Sequence, residues 1–146
     1  MNYLSREKAC SLIIDLGLPN FFIDVINEKV QNPVDLHFAC SPLYYLTPED
    51  QEAYGLVNII PLWASNDGEI NYIYDIEKRD FFSFFLEDGE IGSRYNWEQL
   101  MEKAIQTSIE LESDPDIEIA DVIEIVRQIY SRLEVDNLIT QISNAV

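Results

Sequence analysis

The stretch INYIYDIEKRDFFSFF, residues 70–85, decides the fold of this chain. In its first half, isoleucine and tyrosine alternate with Asn71, Ile73 and Asp75, which is the period-two pattern of a β-strand. The second half, which begins at Asp80, supplies another apolar strand. The three-residue link EKR between the halves is short enough for a hairpin. The stretch therefore predicts two antiparallel strands that are neighbours in one sheet.

A third strand is predicted upstream, in LVNIIPLW at residues 56–63. Pro61 has no backbone N–H to donate, which favours an edge position, a bulge or a strand end. The following link, NDG at residues 66–68, consists of residue types that tolerate the positive φ of tight hairpins. Together the three strands predict an antiparallel meander.

The same link also raises the alternative of a calcium loop, because Asp67 and Glu69 flank Gly68. A loop of the EF-hand type requires an oxygen ligand at its first position and a bidentate glutamate at its twelfth. Counted from Gly68, these positions hold Trp63 and Tyr74. The motif fails at both ends, and the stretch is interpreted as a turn.

Helix signals precede the predicted sheet. Ser5 is placed to cap a first helix that ends near Gly17, and Thr47 is placed to cap a short helix before the strands. Residues 20–39 are ambiguous in the sequence, because the apolar residues at the start of the stretch have helical spacing while residues 34–38 alternate like a strand.

Helix signals also follow the sheet. Asn96 is a good N-cap, with Gln99 as its capping-box partner. Asp114 is predicted to cap the next helix, with Pro115 in its first position. VDNLITQI, residues 135–142, predicts a short last helix.

Length and composition agree with one globular domain. The chain has 146 residues, of which 47% are hydrophobic and 25% are charged. We predict an α+β fold: a central antiparallel sheet, built as a meander, with helices at the N-terminus and a helical C-terminal third. The single domain spans residues 1–146, and residues 114–146 form a C-terminal helical extension.

Charge limits the possible partners. The chain carries 27 acidic and 9 basic residues, a formal net charge of −18. This field repels nucleic acid and anionic membranes, and its natural counterpart is a basic protein surface. The N-terminal residues do not form a signal peptide, and no apolar run is long enough to span a bilayer. We therefore expect a cytoplasmic protein.

The distribution of charge suggests candidate binding residues. No basic residue occurs between Lys103 and Arg127, whereas seven carboxylates do. Helix dipoles are compensated by two or three carboxylates, so seven suggest either a solvated face or a surface that steers a basic partner. The predicted steering charges are Asp114, Asp116, Glu118, Asp121 and Glu124. A second candidate cluster lies near the end of the third strand, at Glu87, Asp88 and Glu90.

Catalytic chemistry finds little support in the sequence. His37 is the only histidine, which excludes histidine-based triads and multi-histidine metal sites. We expect it in a strand. Cys10 is predicted to be a buried small side chain, and Cys40 a strand residue or a free thiol. No glycine-rich phosphate loop occurs. We expect no enzyme activity, no cofactor and no metal.

Four segments, LGLPNFF, YGLVNIIPL, INYIYDIEKRDFFSFF and YNWEQLMEKAI, occur in an order that resembles the SMI1/KNR4-like superfamily, also called SUKH. The resemblance spans residues 16–109. The matching positions are packing and turn residues, none of them catalytic: Gly17, Leu18, Pro19, Pro61, Leu62, Asp75, Trp97 and Leu100.

The resemblance implies a function in protein binding. Many bacterial members of that superfamily are immunity proteins that bind and block a polymorphic toxin, often a nuclease. Others are interaction domains in regulatory proteins. We therefore expect an immunity protein that neutralises a basic toxin domain. The alternatives are a non-catalytic regulatory or scaffold domain with another partner, and a small enzyme or metal-dependent module.

Overall fold

The computed structural model describes residues 3–38, 46–65 and 69–145, and the chain divides into two compact units, Met1–Tyr95 and Asn96–Val146. The first unit contains α1 (Arg6–Asp15), α2 (Phe21–Ile26), a 3₁₀ helix (Val34–Leu36), α3 (Pro48–Tyr54), β1 (Ile59–Ala64), β2 (Ile70–Asp75), β3 (Asp80–Phe85) and β4 (Glu90–Tyr95). The second contains α4 (Trp97–Glu112), α5 (Ile119–Ile129), a 3₁₀ helix (Ser131–Leu133) and α6 (Asp136–Asn144).

The predicted α+β fold with a central antiparallel meander is confirmed. The four strands pair in the order β1-β2-β3-β4, and each neighbouring pair is antiparallel. Helices precede the sheet in the chain and follow it. The extension predicted at residues 114–146 lies in the second unit together with α4.

Local chemistry accounts for the register of the hairpin between β2 and β3. Ile73 lies opposite Phe82, and the link turns through Arg79 in the left-handed region, with φ of 55°. Asp75 Oδ1 accepts hydrogen bonds from the backbone N–H groups of Glu77 and Lys78, both at 3.1 Å. The carboxylate therefore supplies the partners that the turn backbone lacks. The turn predicted at residues 66–68 lies outside the described residues.

Pro61 occupies the position that its chemistry predicts. It lies in β1, an edge strand, and the pairing with β2 shifts register between Pro61 and Trp63. Such a bulge leaves a residue without a ladder hydrogen bond, so a missing N–H is tolerated there.

The fourth strand was not predicted. In β4 the sequence EIGSRY has no apolar alternation, and its side chains are mostly exposed. A Cβ atom on Gly92 would lie 2.6 Å from both a ring carbon of Phe85 and Ser83 Oγ, so any larger residue here would require these side chains to shift. Glu90 begins β4 and pairs with Phe85, so it lies near the end of the third strand as expected.

In the core of the first unit, side chains of the helices pack against side chains of the sheet. Tyr54 of α3 packs edge-on against Phe84, and Phe22 of α2 stacks on Trp63 with ring centroids 5.6 Å apart. On β3, Phe81, Phe82 and Phe84 are buried, and because neighbouring strand residues point to opposite faces, both faces of β3 carry a buried aromatic side chain. One buried cluster consists of Leu46, Leu56, Ile59, Ile73, Phe82 and Phe84.

The predicted N-caps are confirmed at three helices. The side chains of Ser5, Thr47 and Asn96 each accept a backbone N–H from the first turn of the helix that follows. For α5 the prediction that Asp114 is the N-cap was wrong. The N-cap of α5 is Glu118, whereas Asp114 Oδ1 accepts the N–H of Asp116 at 2.8 Å and closes a local turn. A short acidic side chain stabilises either arrangement, and the sequence alone does not distinguish them.

The ambiguity at residues 34–38 resolves in favour of a short helix, and the expected placement of His37 in a strand was wrong. Val34–Leu36 is a 3₁₀ helix, and His37 follows it, with its N–H donating to the carbonyl of Val34. The buried ring of Phe38 packs against Trp63, with the two ring centroids 5.0 Å apart. Ring packing of this kind buries the apolar side chain without pairing its backbone in a sheet.

The second unit is a three-helix assembly. Its helices α4, α5 and α6 pack on one another. The buried hydroxyls of Ser108 and Tyr130 lie 2.8 Å apart in a hydrogen bond that satisfies both. On the surface, Arg127 of α5 forms an ion pair with Asp136 and donates to Thr140 Oγ1 at 2.8 Å, which joins α5 to α6.

A testable consequence concerns Arg94 of β4. Its guanidinium lies 2.7 Å from Asp80 Oδ1, 3.2 Å from Asp75 Oδ2 and 5.0 Å from the ring centroid of Phe82. Arg94→Met keeps an apolar stem but removes both ion pairs, and we expect it to lower the free energy of unfolding by about 1–2 kcal/mol, since the pairs are only partly buried. Urea denaturation measures this change. Lys78→Met, at an exposed cation, is the control, and equal midpoints for the two variants would contradict the prediction.

Candidate protein-binding surface

The strongest candidate surface is the acidic segment, defined as residues 110–124. It runs from the last turn of α4, through the connection to α5, into the second turn of α5. All five predicted steering charges lie on it and are exposed. Its seven carboxylates, all exposed except Glu112, are Glu110, Glu112, Asp114, Asp116, Glu118, Asp121 and Glu124.

Helix electrostatics do not account for these charges. At the start of α5 a carboxylate is favourable to the helix dipole at two positions, Asp121 in the first turn and Glu118 at the N-cap. Asp114 and Asp116 lie before α5 and so do not belong to its first turn. Glu110 and Glu112 lie in the last turn of α4, where the dipole is negative and a carboxylate is unfavourable. Dipole compensation therefore accounts for two of the seven carboxylates and opposes two others.

Internal cations do not neutralise the five steering charges. Among residues 3–38, 46–65 and 69–145, no lysine or arginine forms an ion pair with any of them. One surface ion pair of the second unit joins Arg127 to Asp136, outside the acidic segment. The carboxylates are therefore solvated and available to a partner's cations.

Exposed aliphatic side chains lie among the carboxylates. Leu111 is 62% exposed, Ile117 41% and Ile119 48%. Protein interfaces commonly combine apolar contact residues, which supply most of the affinity, with charges that orient the partner. The exposure of Ile119 was not predicted from the sequence. The available signal was the alternation in DPDIEI, residues 114–119, where isoleucines follow carboxylates in a segment without helical periodicity.

The second predicted cluster lies in the other compact unit. Glu87, Asp88 and Glu90 are exposed and occupy the turn between β3 and β4 and the first position of β4. Asp88 Oδ1 accepts the N–H of Glu90 at 3.1 Å, and the N–H of Glu87 donates to Glu69 Oε1 at 2.9 Å. These carboxylates therefore contribute to turn structure as well as to surface charge.

Cys10, one of the residues considered for catalytic chemistry, lacks the features of a reactive thiol. Cys10 is half-buried rather than buried, and desolvation raises the pKa of its thiol, which keeps the thiol protonated and poorly nucleophilic at neutral pH. Asn27 Nδ2 lies 3.9 Å from its sulfur. Cys40 lies outside the described residues. The described ranges contain no group of three histidine, cysteine, aspartate or glutamate side chains placed to hold a metal.

Two further findings concern the class of protein to which this chain belongs. Within the residues that the structure describes, no helix combines the length and the apolar character needed to cross a membrane. The chain matched no protein-family model, no curated protein and no solved structure. A function for this chain therefore has to be inferred from its own surface.

Proposed function

We propose that this protein is a cytoplasmic immunity protein of the SUKH type, which binds and neutralises a basic polymorphic toxin domain. It acts by occupying the toxin's surface and performs no catalytic step. The observation that carries the proposal is the acidic segment: seven carboxylates within fifteen residues, with exposed aliphatic side chains between them.

Inhibition by occlusion requires fast capture and slow release. A net charge of −18 draws a basic protein toward the chain, and the acidic segment orients it during the encounter. Such attraction is screened beyond about 8 Å at physiological ionic strength, so it favours approach more than it holds the complex. The exposed aliphatic side chains supply the desolvated contacts that slow dissociation.

Coexpression tests the proposal. A basic toxin domain encoded beside the gene of this chain is expressed in a bacterial host with and without the chain. We expect growth to be restored by the chain, and the two purified proteins to elute together as a stable complex. Persistent toxicity without complex formation would contradict the proposal. Stable binding to a neighbouring protein without toxic activity would favour a regulatory or scaffold function instead.

Ionic strength provides an independent prediction for the purified complex. Because the attraction is electrostatic, we expect the association rate to fall by about tenfold or more between low salt and 0.5 M salt, while the dissociation rate changes little. Stopped-flow fluorescence measures both rates. An association rate that does not vary with salt would show that the acidic surface has no part in capture.

A further inference from the structure

A groove of about 480 Å³ opens on the second unit next to the acidic segment. Ile109 of α4 and Ile142 of α6 are buried and form its apolar floor, while Ile119, at the start of α5, is 48% exposed beside them. Gln106, Glu110 and Ser113 complete the lining. The groove thus offers an apolar surface that no described side chain of this unit fills.

The groove continues along α4 and α6. A second depression of about 310 Å³ shares Gln106 and Ile142 with it. Glu102, Gln106 and Glu110 follow one another at intervals of four residues and therefore form one row along α4. Gln106 Nε2 donates to Glu102 Oε1 at 3.4 Å, which aligns the row. Among the described residues, no lysine or arginine lines either depression.

We propose that this groove receives a lysine- or arginine-rich segment of the partner, which places one aliphatic or aromatic side chain on the isoleucine floor. The cations on either side of that side chain would lie against Glu102 and Glu110. The inference rests on the proposed function, and it names the part of the toxin that the chain recognises: a basic segment with a single apolar anchor.

Charge complementarity decides between possible occupants. A second copy of this chain would bring another molecule of charge −18 against an acidic rim, which costs free energy through like-charge repulsion. A neutral apolar segment would fill the floor but leave the carboxylates of the rim without partners. A basic segment with an apolar anchor satisfies both surfaces, and a buried anchor surrounded by polar contacts is the usual form of an interface hot spot.

Two synthetic peptides test the groove without the toxin. The probes are the heptapeptides KKKFKKK and KKKSKKK, titrated into the isotope-labelled full chain at low salt and followed by NMR. We expect the phenylalanine peptide to bind about tenfold more tightly, since contact of its ring with the isoleucine floor removes apolar surface from water. We expect its largest amide shifts at Gln106, Ile109, Ser113, Ile119 and Ile142.

Variants of the chain locate the effect. Ile119→Gln removes an apolar wall and should reduce the preference for the phenylalanine peptide to less than twofold. Ile14→Gln is the matched control: Ile14 is also exposed, at 63%, and does not line the groove, so this variant should keep the preference. Amide spectra of both variants verify that each is folded.

The outcomes separate this inference from the proposed function. Salt-sensitive binding with equal affinity for both peptides would contradict the proposed groove site and would leave the proposed immunity function unaffected. If the phenylalanine peptide is preferred at the groove but the chain gives no protection from the toxin, the proposed function would be contradicted, whereas the proposed groove site would stand. The absence of peptide binding at low salt would also contradict the proposed groove site. A dimer detected by sedimentation that Ile119→Gln abolishes would contradict it too.

Discussion

Reversing four carboxylates of the acidic segment is expected to slow association with the basic partner by about 10- to 100-fold at low ionic strength. The variant replaces Asp116, Glu118, Asp121 and Glu124 by lysine. All four are exposed and lie within nine residues, so reversal turns an attractive region into a repulsive one. Asp114 is retained, because its Oδ1 accepts the N–H of Asp116 and holds the turn. Stopped-flow association rates across a salt series measure the effect, which should shrink as salt rises.

The control for this variant has the same net charge in a different arrangement. It replaces Asp15, Asp35, Glu49 and Glu52, which are exposed carboxylates of the first unit, by lysine. Both variants are checked for helix content by circular dichroism, since Asp121 lies in a helical first turn. If the two variants slow association equally, net charge alone governs capture, and the acidic segment is not the steering surface.

Gln51→Leu is expected to lower the free energy of unfolding by about 2–4 kcal/mol, because a near-isosteric side chain removes three buried hydrogen bonds. Gln51 lies in α3 and is 0% exposed. Its Oε1 accepts the N–H of Leu4 at 2.9 Å, and its Nε2 donates to the carbonyls of Leu4, at 2.9 Å, and Leu46, at 2.8 Å. One amide thus joins the N-terminal segment to the helix before the sheet.

Urea denaturation measures the loss at Gln51. For a domain with a typical stability of about 5–15 kcal/mol, the expected change is a large fraction of the total. Glu52→Leu is the matched control, since Glu52 is the next residue of the same helix and is exposed. Equal denaturation midpoints for the two variants would mean that the three hydrogen bonds contribute no net stability.

The sequence predicted the charged part of the candidate surface but not its apolar part. Carboxylates are rarely buried without partners, so their concentration in a stretch without lysine or arginine predicts exposure, and six of the seven are exposed. Ile109 and Ile142 are separated by thirty-three residues and form one floor only because α4 and α6 pack together. No pattern within either helix distinguishes a groove isoleucine from a core isoleucine.

Features that depend on neighbours within a few residues were determined by the sequence itself. The caps at Ser5, Thr47 and Asn96 and the alternation in β2 and β3 are of this kind, because their hydrogen bonds and side-chain directions follow from the local backbone. The tertiary structure decided those features whose stabilising contacts come from distant residues. Pairing with β3 makes EIGSRY a strand, and packing on Trp63 buries Phe38 next to a 3₁₀ helix. Burial of such a segment depends on what lies opposite it, which its own residues do not specify.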